Sequence, residues 1–254
     1  MRRRRCITID CWDTLLMDSQ ELDSEINEAI VEWLSKVDGN LSIAQLVEAV
    51  RMESEEFSRK IARADCILTP RNRLKSLLRL IGKNTELIHD AMLQDTLRRI
   101  DSSIRNAPPK LTPWASEFLH HTHENQLPVC MISNTGWISS TSVKQVFSDL
   151  GLTEFFAGWL FSGDGYRPKP NPEMFHAALS DLELTEHEVI HIGDQGKTDG
   201  VGAIAAGIRP IIIGNPCRES EASGGAAIAD SMLFVTSLKD AWARIIYAVR
   251  QGEF

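Results

Sequence analysis

From Pro113 onward the sequence alternates between short apolar runs and stretches with a 3.6-residue apolar repeat. This alternation narrows the possible folds more than any other feature. The apolar runs are Pro128–Ile132, Trp159–Phe161, Val189–Ile192, Pro210–Ile213 and Leu233–Val235. Helical stretches accompany them at Trp114–Glu124, Ser142–Leu150, Pro172–Leu182, Val201–Ala206 and Leu238–Arg250. Strands separated by helices of this length predict a parallel sheet covered on both faces. One more strand, Cys6–Ile9, opens the chain and ends at Asp10.

Residues 20–112 have a different character. The apolar repeat there is helical throughout, over Ile26–Val37, Ile43–Arg63, Arg71–Ile81 and Leu87–Ile104. Breaks fall at Gly39-Asn40, Thr69-Pro70 and Gly82-Lys83-Asn84, and Pro108-Pro109 with Thr112-Pro113 close the block. The reading is a helical insertion after the first strand of an α/β domain. Residues 214–230, rich in Gly, Ala and Ser, read as a mobile loop.

Composition bounds the function. A chain of 254 residues buries about three quarters of its extended surface, so no disulfide or structural metal is needed to hold it together. With 43% hydrophobic and 24% charged residues and no long apolar run, it is neither a disordered nor a membrane-spanning sequence. A net charge of −8 argues against a nucleic-acid partner. The basic run Arg2–Arg5 reads as a solvated lead-in, because Asp10 and Asp13 interrupt the apolar stretch that a secretory signal would need. Cys6, Cys11, Cys66, Cys130 and Cys217 are odd in number and scattered, which predicts reduced core or near-core thiols in a cytoplasmic protein.

In an open parallel sheet, ligands bind at the carboxyl ends of the strands. Here those ends and the loops near them carry Asp10-Cys11-Trp12-Asp13-Thr14, Ser133-Asn134, Arg167-Pro168-Lys169-Pro170, and Gly193-Asp194 with Asp199. Several carboxylates brought together make a hard-oxygen site suited to Mg²⁺. A lysine and a hydroxyl facing that ion make a pocket for a phosphoryl group, which an aspartate could attack to form an acyl phosphate.

In order and spacing these segments resemble the four motifs of the haloacid dehalogenase-like hydrolase superfamily. The run Asp199-Gly200-Val201-Gly202-Ala203-Ile204-Ala205-Ala206-Gly207-Ile208 resembles the helix after its fourth motif. The resemblance implies a Rossmann-like three-layer core at 1–16 and 113–254, with a helical cap at 17–112. It also implies roles. Asp10 is the nucleophile and a metal ligand, joined by the Trp12 backbone carbonyl and Asp194, with Asp199 supporting from behind or binding through water. Thr14, Ser133, Asn134 and Lys169 hold the phosphoryl group. The expected cofactor is Mg²⁺ and the expected partner a small-molecule phosphate, with no nucleic acid and no membrane. The oligomeric state is left open.

One position departs from the pattern. Phosphatases of the superfamily carry a second aspartate, a general acid and base, where this chain has Trp12. Asp13 is the candidate substitute. An aromatic residue at that place also resembles the 2-haloacid dehalogenases, so metal-independent attack on carbon is the alternative reading, and a weakly active or inactive binding protein is another. The pairing of Asp194 with Asp199 favours Mg²⁺ and phosphate, because three carboxylates packed without a cation raise one another's proton affinity. His120, His121 and His123 read as surface residues and His191 as a buried core histidine. Trp12 and Trp137 are expected to line the pocket, and Arg63, Arg71 and Arg73 are candidate contacts to an anionic substrate.

Overall fold

The computed structural model describes residues 5–64, 66–85, 90–214 and 230–252. Strands β1 (Cys6–Ile9), β2 (Val129–Ser133), β3 (Phe156–Phe161), β4 (Val189–Gly193), β5 (Arg209–Ile213) and β6 (Leu233–Val235) form one sheet in the order β3-β2-β1-β4-β5-β6. Each neighbouring pair is parallel. This is the doubly wound Rossmann-like arrangement, and it sets β1 between β2 and β4 at the point where strand order reverses. The α/β reading of the sequence agrees with the structure.

Side chains alternate across the sheet, which gives it two apolar faces. Ile7 and Ile9 pack on one side with Phe118, Phe147 and Ile245. These come from α5 (Ala115–Glu124), α6 (Ser140–Asp149) and α9 (Leu238–Gln251). Cys6, Cys130 and Ile132 pack on the other side with Met174, Phe175 and Ala203, from α7 (Glu173–Leu182) and the short α8 (Val201–Ala205). Three layers result.

Between β1 and β2 stand α1 (Gln20–Val37), α2 (Ile43–Arg63), α3 (Pro70–Leu80) and α4 (Asp90–Asn106). The first begins at Gln20 rather than Ile26 because Ser19 caps it, accepting a hydrogen bond from Leu22 N at 3.1 Å. Ser42 and Gln45 form a capping box at α2, and Thr69 caps α3 just before Pro70. The expected start of the fourth helix at Leu87 lies outside the described residues. The chain leaves and re-enters the core at adjacent points: Met17 N donates to Lys110 O and Thr112 N to Leu15 O, at 2.8 and 2.9 Å.

Two expectations from the sequence are affected. Cys6, Cys11 and Cys130 are buried as read, whereas Cys66 is exposed, beyond the left-handed residue Ala64 that ends α2. Cys217, Arg2 to Arg4 and almost all of the 214–230 segment lie outside the described residues. No helix among the described residues is long and apolar enough to cross a membrane.

Candidate active site

The sheet order brings the ends of β1, β2 and β4 side by side. Asp10 follows β1 directly, and its backbone N–H donates to Ile192 O on β4 at 2.8 Å. Ser133 is the last residue of β2, and Asp194 comes immediately after β4. Between β4 and α8 the chain makes one wide π turn, Gly196–Gly200, which carries Asp199 back beneath the strand end. Gln195 N donates to Asp199 Oδ2 at 3.0 Å and holds that carboxylate in place. Gly193 is what makes the return possible, since a Cβ there would fall 2.3 Å from Asp199 Cγ.

Lys169 comes from the loop before α7. Its ammonium has three protons and three acceptors: Asp10 Oδ1 at 2.5 Å, Asp199 Oδ1 at 2.6 Å and Ile132 O at 2.7 Å. The loop is fixed by Asn134, whose Oδ1 accepts from Lys169 N at 2.7 Å while its Nδ2 donates to Lys169 O at 3.0 Å. Asn134, read as a substrate contact, thus also positions the lysine. Gly202 lets α8 approach the same loop, because a Cβ there would lie 2.8 Å from Phe175 and 3.2 Å from Pro170.

Asp10, Asp194 and Asp199 place ligand atoms within 4.8 Å of one another. Among the described residues this is the one such group of potential metal ligands, so His120, His121 and His123 form none. The electrostatics follow from crowding. Burial, and the negative charge of Asp199, raise the Asp10 carboxyl despite Lys169. Burial and the charges of Asp10 and Asp199 push Asp194 up to about 8. Burial would raise Asp199 as well, but Lys169 and His191 outweigh it and hold its carboxyl below the usual carboxylate range. Lys169 stays charged, because the two carboxylates more than offset its burial.

The residues fit a hard divalent cation. Three carboxylates face one ammonium whose protons are all engaged, and Asp194 Oδ1 is buried with no hydrogen-bond partner. In the loop after β1, Leu15 N and Leu16 N both donate to Cys11 O and Asp13 N donates to Leu16 O, so none of these is spent on the Trp12 carbonyl. Ser133 Oγ is buried and likewise unpartnered.

A cavity of about 980 Å³ opens above this cluster, between the strand ends and the helical insertion. Asp10, Ser133, Asn134, Lys169 and Asp199 line its floor, and Leu22, Ile26, Phe57 and Arg73 of the insertion line its other side. Trp12 and Trp137 line it as well, as read from the sequence. Of the three candidate arginines of the insertion, Arg73 alone is in the lining, while Arg71 pairs with Asp90. Thr14 is buried with its hydroxyl unpartnered and is not in the lining. Asp13 is exposed and outside the lining too. It has a left-handed backbone (φ 55°), and its Oδ1 accepts from Asp18 N at 3.1 Å.

Two roles were not legible beforehand. His191 is fully buried, within 3.1 Å of Thr8 Oγ1 through Nδ1 and within 3.4 Å of Asp199 Oδ1 through Nε2, so it supports the cluster from behind. Arg73 is gripped by Glu53. Thr8 and His191 are register partners on β1 and β4, which only the strand order reveals.

Residues 4–207 match the model of the haloacid dehalogenase-like hydrolase family. The chain belongs to that family. This hydrolase is 28% identical over 116 residues to a ribulose-1,5-bisphosphate 5-phosphatase of Halopiger xanaduensis, a match covering 46% of this chain and 47% of that one. It is 27% identical over 137 residues to a phosphoglycolate phosphatase of Cereibacter sphaeroides, covering 54% and 60%. These matches thus span about half the length of those relatives. Among solved structures, a HAD phosphatase of Thermococcus onnurineus superposes with a TM-score of 0.63 at 17% identity, covering 95% of this chain and 97% of that one. A 2-haloacid dehalogenase of Pseudomonas syringae pv. Tomato superposes at 0.62 and 22% identity, covering 95% and 99%. At such identities the structures speak for the fold alone.

Proposed function

We propose that this hydrolase is a Mg²⁺-dependent phosphatase that cleaves a small organic phosphate monoester through an aspartyl phosphate on Asp10. One observation carries the reading: three clustered carboxylates, Asp10 and Asp199 buried and Asp194 partly so, face a single ammonium, which leaves a negative charge that a cation would neutralise. Asp10, Asp194 and the Trp12 carbonyl would hold the ion, with Asp199 behind them. When bound, Mg²⁺ neutralises the carboxylates and draws charge from the phosphoryl oxygens.

The side chains of the chain do the rest. Lys169 fixes Asp10 Oδ1, which leaves the other carboxylate oxygen to attack phosphorus. The Ser133 hydroxyl, unpartnered and facing the cavity, bonds a phosphoryl oxygen. As the bond from Asp10 oxygen to phosphorus forms, the bond from phosphorus to the alcohol oxygen breaks, and the alcohol leaves with a proton from water. Water then attacks the acyl phosphate, releasing phosphate and restoring the Asp10 carboxylate. Asp13 is the candidate to assist proton transfer, by a movement of its exposed turn. The helical insertion acts as a cap over the cavity, limits substrates to small molecules and keeps bulk water out. The buried thiols suit a reducing, cytoplasmic compartment. The phosphatases among the relatives support a phosphate substrate.

The test is turnover of an aryl phosphate with Mg²⁺ or with chelator, beside Asp10→Asn. Activity should need the metal and fall by at least about 10³-fold in the variant. Metal-independent turnover, or an active variant, overturns the reading. Of the two competing readings, Trp12 favours attack of Asp10 on carbon with loss of halide, because a departing halide needs no proton. Release of halide from a 2-haloacid in chelator would support it.

A further inference from the structure

We infer that the alcohol part of the substrate carries no second anion: the cavity takes phosphate monoesters of neutral or amine-bearing alcohols and discriminates against those bearing a carboxylate or a second phosphate. This rests on the phosphatase reading above and concerns the part of the cavity beyond the Asp10 cluster.

Three cationic side chains line the cavity among the described residues: Lys169, Arg73 and Lys197. Lys169 has no proton left to offer, as shown by its three acceptors. Arg73 is engaged along its Nε–Nη2 edge and packed against two rings. Its Nε and Nη2 grip both oxygens of the buried Glu53 at 2.7 to 3.2 Å. Its Cζ lies 3.9 Å from the ring centroid of Phe57 and 3.8 Å from that of Trp137. A guanidinium neutralised and packed in this way is wall, not a receptor for an incoming carboxylate. It also spans the two halves of the molecule, since Phe57 lies on α2 and Trp137 in the loop after β2.

Lys197 remains, and it shares the lining with Asp18 and Asp23. Those two carboxylates feel one another: burial raises the Asp23 carboxyl, and the charge of Asp18 raises it further. Among the described lining residues other than the Asp10 cluster, Lys169 and Arg73, then, two carboxylates stand against one ammonium, and Trp12, Leu22 and Ile26 add apolar or aromatic surface. A negatively charged alcohol meets net repulsion there. A neutral one meets apolar surface, and an ammonium meets carboxylates and an indole. Two of the phosphatases it resembles are named for substrates that carry a second phosphate or a carboxylate, so the inference separates this chain from those two.

Three esters of similar size test it in saturating Mg²⁺: phosphoglycolate, propyl phosphate and O-phosphoethanolamine, with nitrophenyl phosphate as reference. The KM for phosphoglycolate should exceed those for propyl phosphate and phosphoethanolamine by at least about tenfold. The ratio should shrink by about threefold or more in the Asp18→Asn/Asp23→Asn double variant, whose substituted side chains are exposed. A KM for phosphoglycolate equal to or below the other two, or a ratio that the double variant does not move, overturns the inference and leaves the phosphatase reading standing. Turnover of none of the four esters overturns that reading, and the inference with it.

Discussion

At Asp194, burial and the charges of Asp10 and Asp199 push the carboxyl from 3.8 up to about 8. The folded, metal-free chain therefore keeps a proton there over a range in which the unfolded chain has lost it. A state that binds more protons loses ground as pH rises, so thermal stability without metal should fall between pH 4 and pH 8 and level off above. Asp10 adds in the same direction. Asp199, held low, acts in the opposite sense and only as pH falls below its ordinary value, 3.8. Added Mg²⁺ should raise the melting temperature more at pH 8 than at pH 5, and Asp194→Asn should flatten both dependences. A metal-free melting temperature indifferent to pH across this range would count against the cluster as drawn. A second residue-scale test is Gly193→Ala. Its Cβ would sit 2.3 Å from Asp199 Cγ, so a loss of about 1–3 kcal/mol of stability is expected, with a drop in kcat as Asp199 releases Lys169. Asp10, Ser133, Lys169, Asp194 and Asp199 were legible in the sequence because each follows an apolar run or stands in a loop of fixed spacing. The service of Asn134 to Lys169 was not, because its partners are backbone atoms 35 residues away.

Among the elements of the insertion, α2 and α3 are joined by the ion pair of Glu53 and Arg73, with side chains 2% and 7% exposed. Removing either partner leaves a buried charge uncompensated, and unfolding measurements on Glu53→Met or Arg73→Met should show a loss of about 3–5 kcal/mol. The double replacement by methionine should recover most of that loss, since packing replaces the pair. Losses that simply add in the double variant would contradict the coupling. The pair of Arg51 with Glu48 on the same α2 is about half exposed on both sides, and breaking it should leave stability nearly unchanged. The helices themselves could be read from their apolar period, and the start of α3 from the break at Thr69-Pro70. Pairing across them could not. An Arg and a Glu twenty positions apart carry no local signal until α2 and α3 are packed.

Taken whole, the molecule is a parallel sheet whose central strand and its two neighbours lead to Asp10, Ser133 and Asp194, with a helical block tied over them. Asp101 of α4 accepts from Ser139 N and Ser139 Oγ at 2.7 and 2.6 Å, and Asn171 Nδ2 donates to Ala64 O at 3.1 Å. With Arg73 against Trp137, these contacts join the block to the loop that follows Ser133 and to the loop that carries Lys169. Alternation of strand and helix was enough to read the layers, and Trp12 and Trp137 could be placed in the cavity wall from the strand-end motifs beside them, while Leu22, Ile26 and Phe57 could not, because they reach the wall only once the insertion is packed against the core. The central claim, that Asp10 is the nucleophile toward phosphorus, can be put to one measurement. The protein is mixed with a phosphate monoester in Mg²⁺, quenched with acid within the first turnovers and digested for peptide mass analysis. A single phosphoryl group on Asp10, released by hydroxylamine and absent when chelator replaces Mg²⁺, is the expected result. Turnover with no such adduct, or an adduct on another side chain, would contradict it.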